Sequence, residues 1–278
     1  MFVCIVYNPN KEESKEVLSY LKGLLDSEGF DFFLLKTDFS NFSANFSSYK
    51  GIKRPDFVIC VGGDGTILYA SRLFSVYEVP IAGVNVGKLG FLMHFSKDEI
   101  PYLIELIKTQ KYEVENRMMI KSEVIFGDNE KYSNYSLNEV VVTRGKFHRL
   151  IDVEVFVDGE FLNNYRGDGI IVATPTGSTA YSLSAFGPIL TPTMENIIIT
   201  PICPHTLSAR SIVLSKDANV KLKVKHISPS PIVVFDGQEY IDINEDVEIN
   251  IGKCDFYAKV VRNPRKNFFE IIRTKLNW

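Results

Sequence analysis

The hydrophobic and polar positions of this chain follow one rhythm up to about residue 111 and another after it. Phe2–Tyr7 is continuously apolar, the mark of a short strand buried on both faces, and the turn Asn8-Pro9-Asn10 ends it. From Lys11 to Glu28 the apolar residues Val17, Leu18, Leu21, Leu24 and Leu25 fall on one face of a helix, with Gly29 as its stop. Phe32–Leu35 and Phe57–Val61 read as further strands, followed by a helix over Ile67–Phe74 and a strand over Ile81–Val84. Ser96 and Glu99 make a capping-box pattern at the head of a helix over Lys97–Thr109. Strand and helix alternating at this spacing predict a Rossmann-like parallel sheet with helices on its faces. The stretch Thr37–Pro55 is different in kind. Asp-Phe-Ser, Asn-Phe-Ser and Asn-Phe-Ser recur at positions 38, 41 and 45, and the stretch reads as a polar loop or irregular helix with a few anchoring phenylalanines.

After Lys111 strands dominate. They are expected at Tyr112–Ile120, Ser122–Phe126, Leu137–Thr143, Ile151–Val157, Gly169–Ala173, Asn196–Thr200, Ser211–Leu214, Val220–Val224, Pro231–Phe235, Asp246–Ile251 and Cys254–Arg262. Turn pairs such as Asp128-Asn129, Asp158-Gly159 and Asp236-Gly237 separate them. This pattern predicts a mostly-β domain of packed sheets. Phe268, Phe269, Ile271, Ile272 and Leu276 then recur at helical spacing. The expected organisation is an α/β N-terminal domain over residues 1–100, a β-rich C-terminal domain over 101–262, and a helix in 263–278 that packs back.

Candidate chemistry begins at the glycine turn Val61-Gly62-Gly63-Asp64-Gly65-Thr66, between a strand and a helix. Glycines there leave backbone N–H groups uncovered, and a helix N-terminus adds unpaired donors and partial positive charge, so Gly62, Gly63, Gly65 and Thr66 suit phosphate. Asp64 is the anomaly, because an acid in a phosphate cradle repels the ligand. It makes sense if it handles a hydroxyl or a metal riding on the phosphates. The plainer alternative is Asp64 as the helix N-cap. Lys88 follows a glycine, but without Gly-Lys-Ser/Thr it makes no Walker-type site.

The composition narrows the class. Of 278 residues, 45% are hydrophobic and 23% charged, an ordinary globular balance, and the net charge of −3 offers no basic field for nucleic acid or an anionic membrane. No apolar run approaches the ~18 residues of a membrane span. The N-terminus lacks the basic flank of a signal peptide. Four widely spaced cysteines read as reduced residues of a cytoplasmic protein. Cys203-Pro204-His205 lacks a third ligand for a metal, and His94, His148 and His226 have no acid partner in sequence.

A second constellation lies in the β-rich half. Tyr165-Arg166-Gly167-Asp168-Gly169 leads through a strand to Thr174-Pro175-Thr176-Gly177-Ser178-Thr179-Ala180-Tyr181-Ser182-Leu183-Ser184. Such a density of hydroxyls could cap a helix or contact a nucleobase or ribose. Upstream, Leu137-Asn138-Glu139 sets an amide beside a carboxylate, a pair able to bind sugar hydroxyls.

Gly62–Thr66, Asn85–Leu92, Leu137–Glu139 and Gly167–Pro188, in this order, resemble the NAD kinase family, and Phe268–Trp278 resembles the tail of its bacterial members. The glycine motif alone is shared with diacylglycerol, sphingosine and 6-phosphofructo-kinases; the segment 167–188 is far more specific. The resemblance implies a kinase, a transferase that moves the γ-phosphoryl group of ATP to the adenosine ribose 2′-hydroxyl of NAD, with the site between the domains. It implies Asp64 as base, with Gly65 beside it, and Asn138 and Glu139 on the ribose. Thr176, Thr179, Ala180, Tyr181, Ser182, Leu183 and Ser184 would line the adenine pocket, and Asp168 would face the nicotinamide amide. Gln238 would touch ligand, with Arg166 and Arg149 supplying positive charge. The chain offers few fixed cations, so Mg²⁺ carried by the triphosphate is the expected neutraliser. NAD and ATP are the implied partners, with a dimer or tetramer as the assembly. Two other readings stay open on the sequence: a lipid kinase with the same glycine motif, and a non-catalytic dinucleotide sensor.

Overall fold

The computed structural model describes residues 1–37, 53–87, 90–127, 130–145, 149–224, 230–243 and 246–278. The Asx-Phe-Ser repeats, Lys88, Asp128-Asn129, His148 and His226 lie outside the described residues. Along the chain come β1 (Phe2–Tyr7), α1 (Glu12–Ser27), β2 (Asp31–Lys36), β3 (Phe57–Gly62), α2 (Asp64–Phe74), β4 (Pro80–Asn85) and α3 (Ile100–Thr109). Next are β5 (Glu113–Ile125), β6 (Lys131–Ser136), β7 (Glu139–Thr143), β8 (Ile151–Val157), β9 (Glu160–Gly167) and β10 (Gly169–Ala173). The chain continues through α4 (Tyr181–Ser184), β11 (Asn196–Ile202), β12 (Ile212–Ser215), β13 (Val220–Val224), β14 (Ile232–Phe235) and β15 (Glu239–Asp242). It ends with β16 (Val247–Arg262) and α5 (Phe268–Leu276).

Two compact units result. The first takes the described residues up to Arg117 together with Tyr257–Trp278; the second takes Met118–Phe256. The boundary expected at 100/101 lies instead at 117/118, because α3 packs against α1 and completes the first unit's core through Ile100, Leu103, Ile104 and Ile107. Residues 257–262 also belong to the first unit, since Lys259 and Val260 pair with Pro80 and Ile81 in parallel.

In the first unit the strand order β2-β1-β3-β4 is parallel throughout. Every residue of β3 is buried, which accounts for its unbroken apolar run. The order reverses between β1 and β3, so the chain leaves these neighbouring strands toward opposite faces. Ligand sites of parallel sheets lie at such a switch point, beyond the strands' carboxyl ends. Here that position is occupied by the Asn8–Lys11 turn and the glycine turn. The capping box at Ser96 forms as expected: the Ser96 N–H donates to Glu99 Oε2 at 2.8 Å, with Pro101 in the first turn of α3. At the far end Asn267 caps α5, its side chain accepting from the Glu270 N–H at 2.9 Å.

The second unit is a sandwich of antiparallel sheets. One runs β12-β11-β10-β7-β14-β15; the other joins β16, β13, β8 and β9, with β5 and β6. Val140, Val142, Ile170, Val172, Ile199 and Phe235 of the first sheet meet Val153, Val155, Leu222 and Ile249 of the other in one core. The strand reading needs three corrections. β5 and β16 are each continuous where two strands were expected, because Lys121 and Lys253 point outward and find carboxylates at Glu123 and Glu195 without interrupting the ladder. β6, β9 and β15 are additional strands, with too little apolar content to be seen as such.

Candidate functional site

The first unit holds the glycine turn. Gly63, with extended backbone, is the N-cap of α2, and no side chain caps the helix, so the N-cap reading of Asp64 is corrected. Asp64 is the first helical residue and sends its carboxylate across to the segment after β4. Oδ2 accepts the Phe91 N–H at 2.8 Å and Oδ1 accepts the Leu92 N–H at 3.0 Å. Gly90 makes this approach feasible, since a Cβ there would stand 2.0 Å from Asp64 Oδ1. A carboxylate held by two amides keeps its remaining lone pairs for a third group. Asn85, at the end of β4, donates to the Gly87 carbonyl while its buried Oδ1 has no partner.

The structure places two cations here that sequence reasoning missed. Lys11 Nζ lies 3.4 Å from the position of a Cβ on Gly63, which puts an ammonium over the open turn. Its signal was the switch-point topology rather than any motif. Arg117 of β5 is buried and bonded to Glu115 at 2.6 and 3.1 Å; burial lowers its guanidinium, while Glu115 and Asp64 favour its charged form. His94, read from sequence as ordinary, is buried beside Arg117 and Glu115. Burial first, then Arg117, pushes its imidazole down to about 4, so it is neutral at physiological pH.

The second unit holds the Leu137-Asn138-Glu139 turn. Its three N–H groups all donate to the buried Asp236 carboxylate, at 2.9, 2.8 and 3.1 Å. Asp236 was missed as a functional residue; Asp-Gly in a hairpin turn was the available signal. From the other side Thr174 Oγ1 donates to the Leu137 carbonyl and Thr174 N–H to that of Asn138. Gly177 sits against this turn so closely that a Cβ would lie 2.2 Å from the Asn138 carbonyl. Glu139 is therefore fixed in place, 5% exposed, with Oε2 unpartnered. Burial, and secondarily the charge of Asp236, push its carboxyl up to about 8 against the pull of the Tyr181 N–H. Thr176 Oγ1 is also buried without a partner.

Around Glu139 the structure gathers several expected residues. Tyr181, at the start of α4, is 44% exposed, and its phenol is raised by burial and by the neighbouring Cys203, Asp168 and Glu139. Asp168 pairs with Arg144 Nε at 2.9 Å. Arg144 is another missed residue; the β7–β10 register, which pairs Thr143 with Gly169, puts it there. Arg149 and Arg166 are exposed, and Gln238 is buried in the β14–β15 turn. Several hydroxyls are spent internally. Ser178 donates to the Pro175 carbonyl at 2.6 Å, Thr179 to that of Thr176 at 3.3 Å, and Ser182 meets Thr200 at 3.0 Å. Ala180 and Leu183 are partly buried, and Ser184 is exposed. Among the described residues no cluster of three metal-ligating side chains occurs.

These two sets of residues match known proteins along the whole chain. The ATP-NAD kinase N-terminal domain family matches residues 48–112, and the ATP-NAD kinase C-terminal domain family matches 137–263. The chain is 39% identical over 277 residues to an NAD kinase of Thermoanaerobacter sp. (strain X514), covering 99% of this chain and 98% of that one. It is 43% identical over 221 residues to that of Carboxydothermus hydrogenoformans, covering 80% and 79%. Among solved structures, yeast NADH kinase complexed with NADH matches with a TM-score of 0.87 at 25% identity, over 100% of this chain and 88% of that one. An NAD kinase from Archaeoglobus fulgidus in complex with ATP matches with 0.80 at 29% identity, over 99% of each chain. With both domain families matched in order and near-complete coverage of its relatives, the chain belongs to the NAD kinase family of enzymes.

Proposed function

We propose that the protein transfers the γ-phosphoryl group of ATP to the 2′-hydroxyl of the adenosine ribose of NAD, giving NADP and ADP. The observation that carries this reading is the aim of Asp64. A carboxylate gripped by two backbone amides at the mouth of an uncapped glycine turn is placed to take a hydroxyl proton. The 2′-oxygen then bonds to the γ-phosphorus, the bond to the ADP oxygen breaks, and the proton leaves through Asp64. Lys11 and the positive N-terminal end of α2 serve the donor phosphates, and Mg²⁺ enters with the triphosphate as part of the substrate. In the second unit the unpartnered Glu139 Oε2 and the adjacent Asn138 serve the ribose. Tyr181 offers a face to the base, and Asp168, oriented by Arg144, takes the carboxamide. Among the described residues no helix is long and apolar enough to cross a membrane. The described cysteines are all free, which suits the reducing cytoplasm.

Calorimetric titration with NAD, paired with a coupled NADP assay, tests the reading. NAD binding with ATP-dependent NADP formation is expected; binding without turnover would make the chain a sensor. Two substitutions separate the substrates. Asn138→Ala should weaken NAD by about 0.5–1.5 kcal/mol, the worth of a neutral hydrogen bond, and leave KM for ATP unchanged. Lys11→Ala should do the reverse, raising KM for ATP roughly tenfold with NAD unaffected. Equal effects on both substrates would remove either residue from its assigned side.

A further inference from the structure

The carboxylate of Asp64 is only as well placed as the backbone that grips it. Phe91 and Leu92 spend their N–H groups on Asp64 instead of on a strand or helix. Among the described residues, the segment between β4 and α3 is tied to the sheet at its start, where the Val86 N–H donates to the Gly62 carbonyl at 2.9 Å, and at Phe95, whose N–H donates to the Gly83 carbonyl at 3.0 Å and whose carbonyl accepts from the Asn85 N–H at 2.7 Å. A second anchor comes from the far end of the chain. The His94 carbonyl accepts both Lys266 Nζ, at 2.9 Å, and Asn263 Nδ2, at 3.2 Å. The same two side chains also bind the two oxygens of Glu99, at 2.8 and 2.9 Å.

This clamp is built to be rigid. Asn263 is fully buried, and its Oδ1 accepts the Arg265 N–H at 3.1 Å, while Lys266 N–H donates to the Asn263 carbonyl at 3.0 Å. Glu99 is fixed in turn by the Ser96 N–H and hydroxyl, at 2.8 and 3.0 Å. Burial opposes its charge, yet Lys266, Ser96 and Asn263 together hold its carboxyl at about 2, so the clamp stays ionised wherever the enzyme works. The His94 imidazole lies by the Phe91 backbone, whose pull on it is outweighed by burial and by Arg117. Lys275 of α5 adds a contact 5.6 Å above the Phe91 ring. All these residues belong to the first unit, and the partners are 169 and 172 positions apart in sequence.

We propose that Lys266 and Asn263 are positioning residues for the transfer step: by pinning the His94 carbonyl they fix the two amides that aim Asp64. The proposal rests on the reading of Asp64 as the group that meets the ribose hydroxyl. A displaced base costs turnover far more than binding, because substrate is held elsewhere and only the geometry of attack is lost.

The test uses Lys266→Met, Asn263→Ala and Lys266→Arg in the full-length protein. In Lys266→Met and Asn263→Ala, kcat should fall about tenfold or more while both KM values stay within about twofold. Amide hydrogen exchange at Phe91 and Leu92, measured by NMR without substrates, should speed up at least about tenfold. Lys266→Arg, which keeps the charge and donors, should recover most of the turnover and the protection. A folded Lys266→Met protein with unchanged exchange at Phe91 and Leu92, or with faster exchange and wild-type kcat, would overturn the proposal. So would a loss that follows thermal stability and raises both KM values alike. The reading of Asp64 fails on a different variant, Asp64→Asn, if that protein turns over normally.

Discussion

Replacing Asp64 with Asn is expected to lower turnover by about 10²–10⁴-fold, the usual share of general base catalysis, while NAD binding changes little. The structure sharpens why. Gly63 caps α2, so Asn at position 64 gains and loses nothing as a cap. What it loses is an oxygen. Phe91 and Leu92 both point N–H groups at the carboxylate, and an amide offers them one acceptor and one NH₂ that faces a donor. Asn therefore removes the base and loosens its grip together. Gly90→Ala separates these effects, because its Cβ would stand 2.0 Å from Oδ1 and push aside a carboxylate that stays chemically intact. If aim matters as much as basicity, Gly90→Ala should lose turnover on a similar scale with its melting temperature close to wild type. The check is kcat, NAD affinity and a thermal melt on both proteins. Wild-type turnover in Asp64→Asn would remove Asp64 from the chemistry; loss in Asp64→Asn with none in Gly90→Ala would show that the turn tolerates displacement.

Much of this unit was legible because its signals are local. An apolar run, three successive turn-formers and the Ser96–Glu99 pair each lie within one window of residues, and β3, the glycine turn and the capping box follow from them. The grip on Asp64 was not legible, since it joins residues 27 and 28 positions apart through backbone donors that carry no side-chain signature. Asp236 shows the same limit. It organises Leu137, Asn138 and Glu139 from 97 to 99 positions away, and nothing in Asp-Gly tells a ligand-site carboxylate from a common hairpin turn. Arg144 was not legible either, because only the β7–β10 register brings it to Asp168. β6, with sequence Lys-Tyr-Ser-Asn-Tyr-Ser, has the alternation of a strand but hides it in polar residues. Its Asn134 side chain bonds to Glu239, a partner visible only once β6 and β15 are folded.

Glu139 should make the protein less stable as pH rises, and Glu139→Gln should abolish that trend. Buried, and beside the charged Asp236, its carboxyl is raised from 4.5 to about 8 in the folded state. The folded chain thus binds the proton more tightly than the unfolded chain, so stability falls with pH wherever the two differ. Below about pH 4.5 both states are protonated and the group contributes no penalty. From there the penalty grows, and it is complete near pH 8. Its ceiling is on the order of 4–5 kcal/mol, from about 1.36 kcal/mol per pH unit of displacement. Gln keeps an oxygen for the Tyr181 N–H and cannot ionise. Denaturant unfolding of both proteins between pH 4.5 and 8 should give curves that meet at the acid end and diverge upward, with Glu139→Gln the more stable at pH 8 by several kcal/mol. Glu139→Gln should also bind NAD less well, because the function proposed above assigns the unpartnered Oε2 to the ribose, and the NH₂ that replaces it can donate but not accept. A gain in stability joined to a loss of affinity is what a residue kept for its ligand predicts. Parallel stability curves across this pH range would show that Glu139 is ionised and solvated in the folded protein, and would take away the strained acid on which the ribose assignment rests.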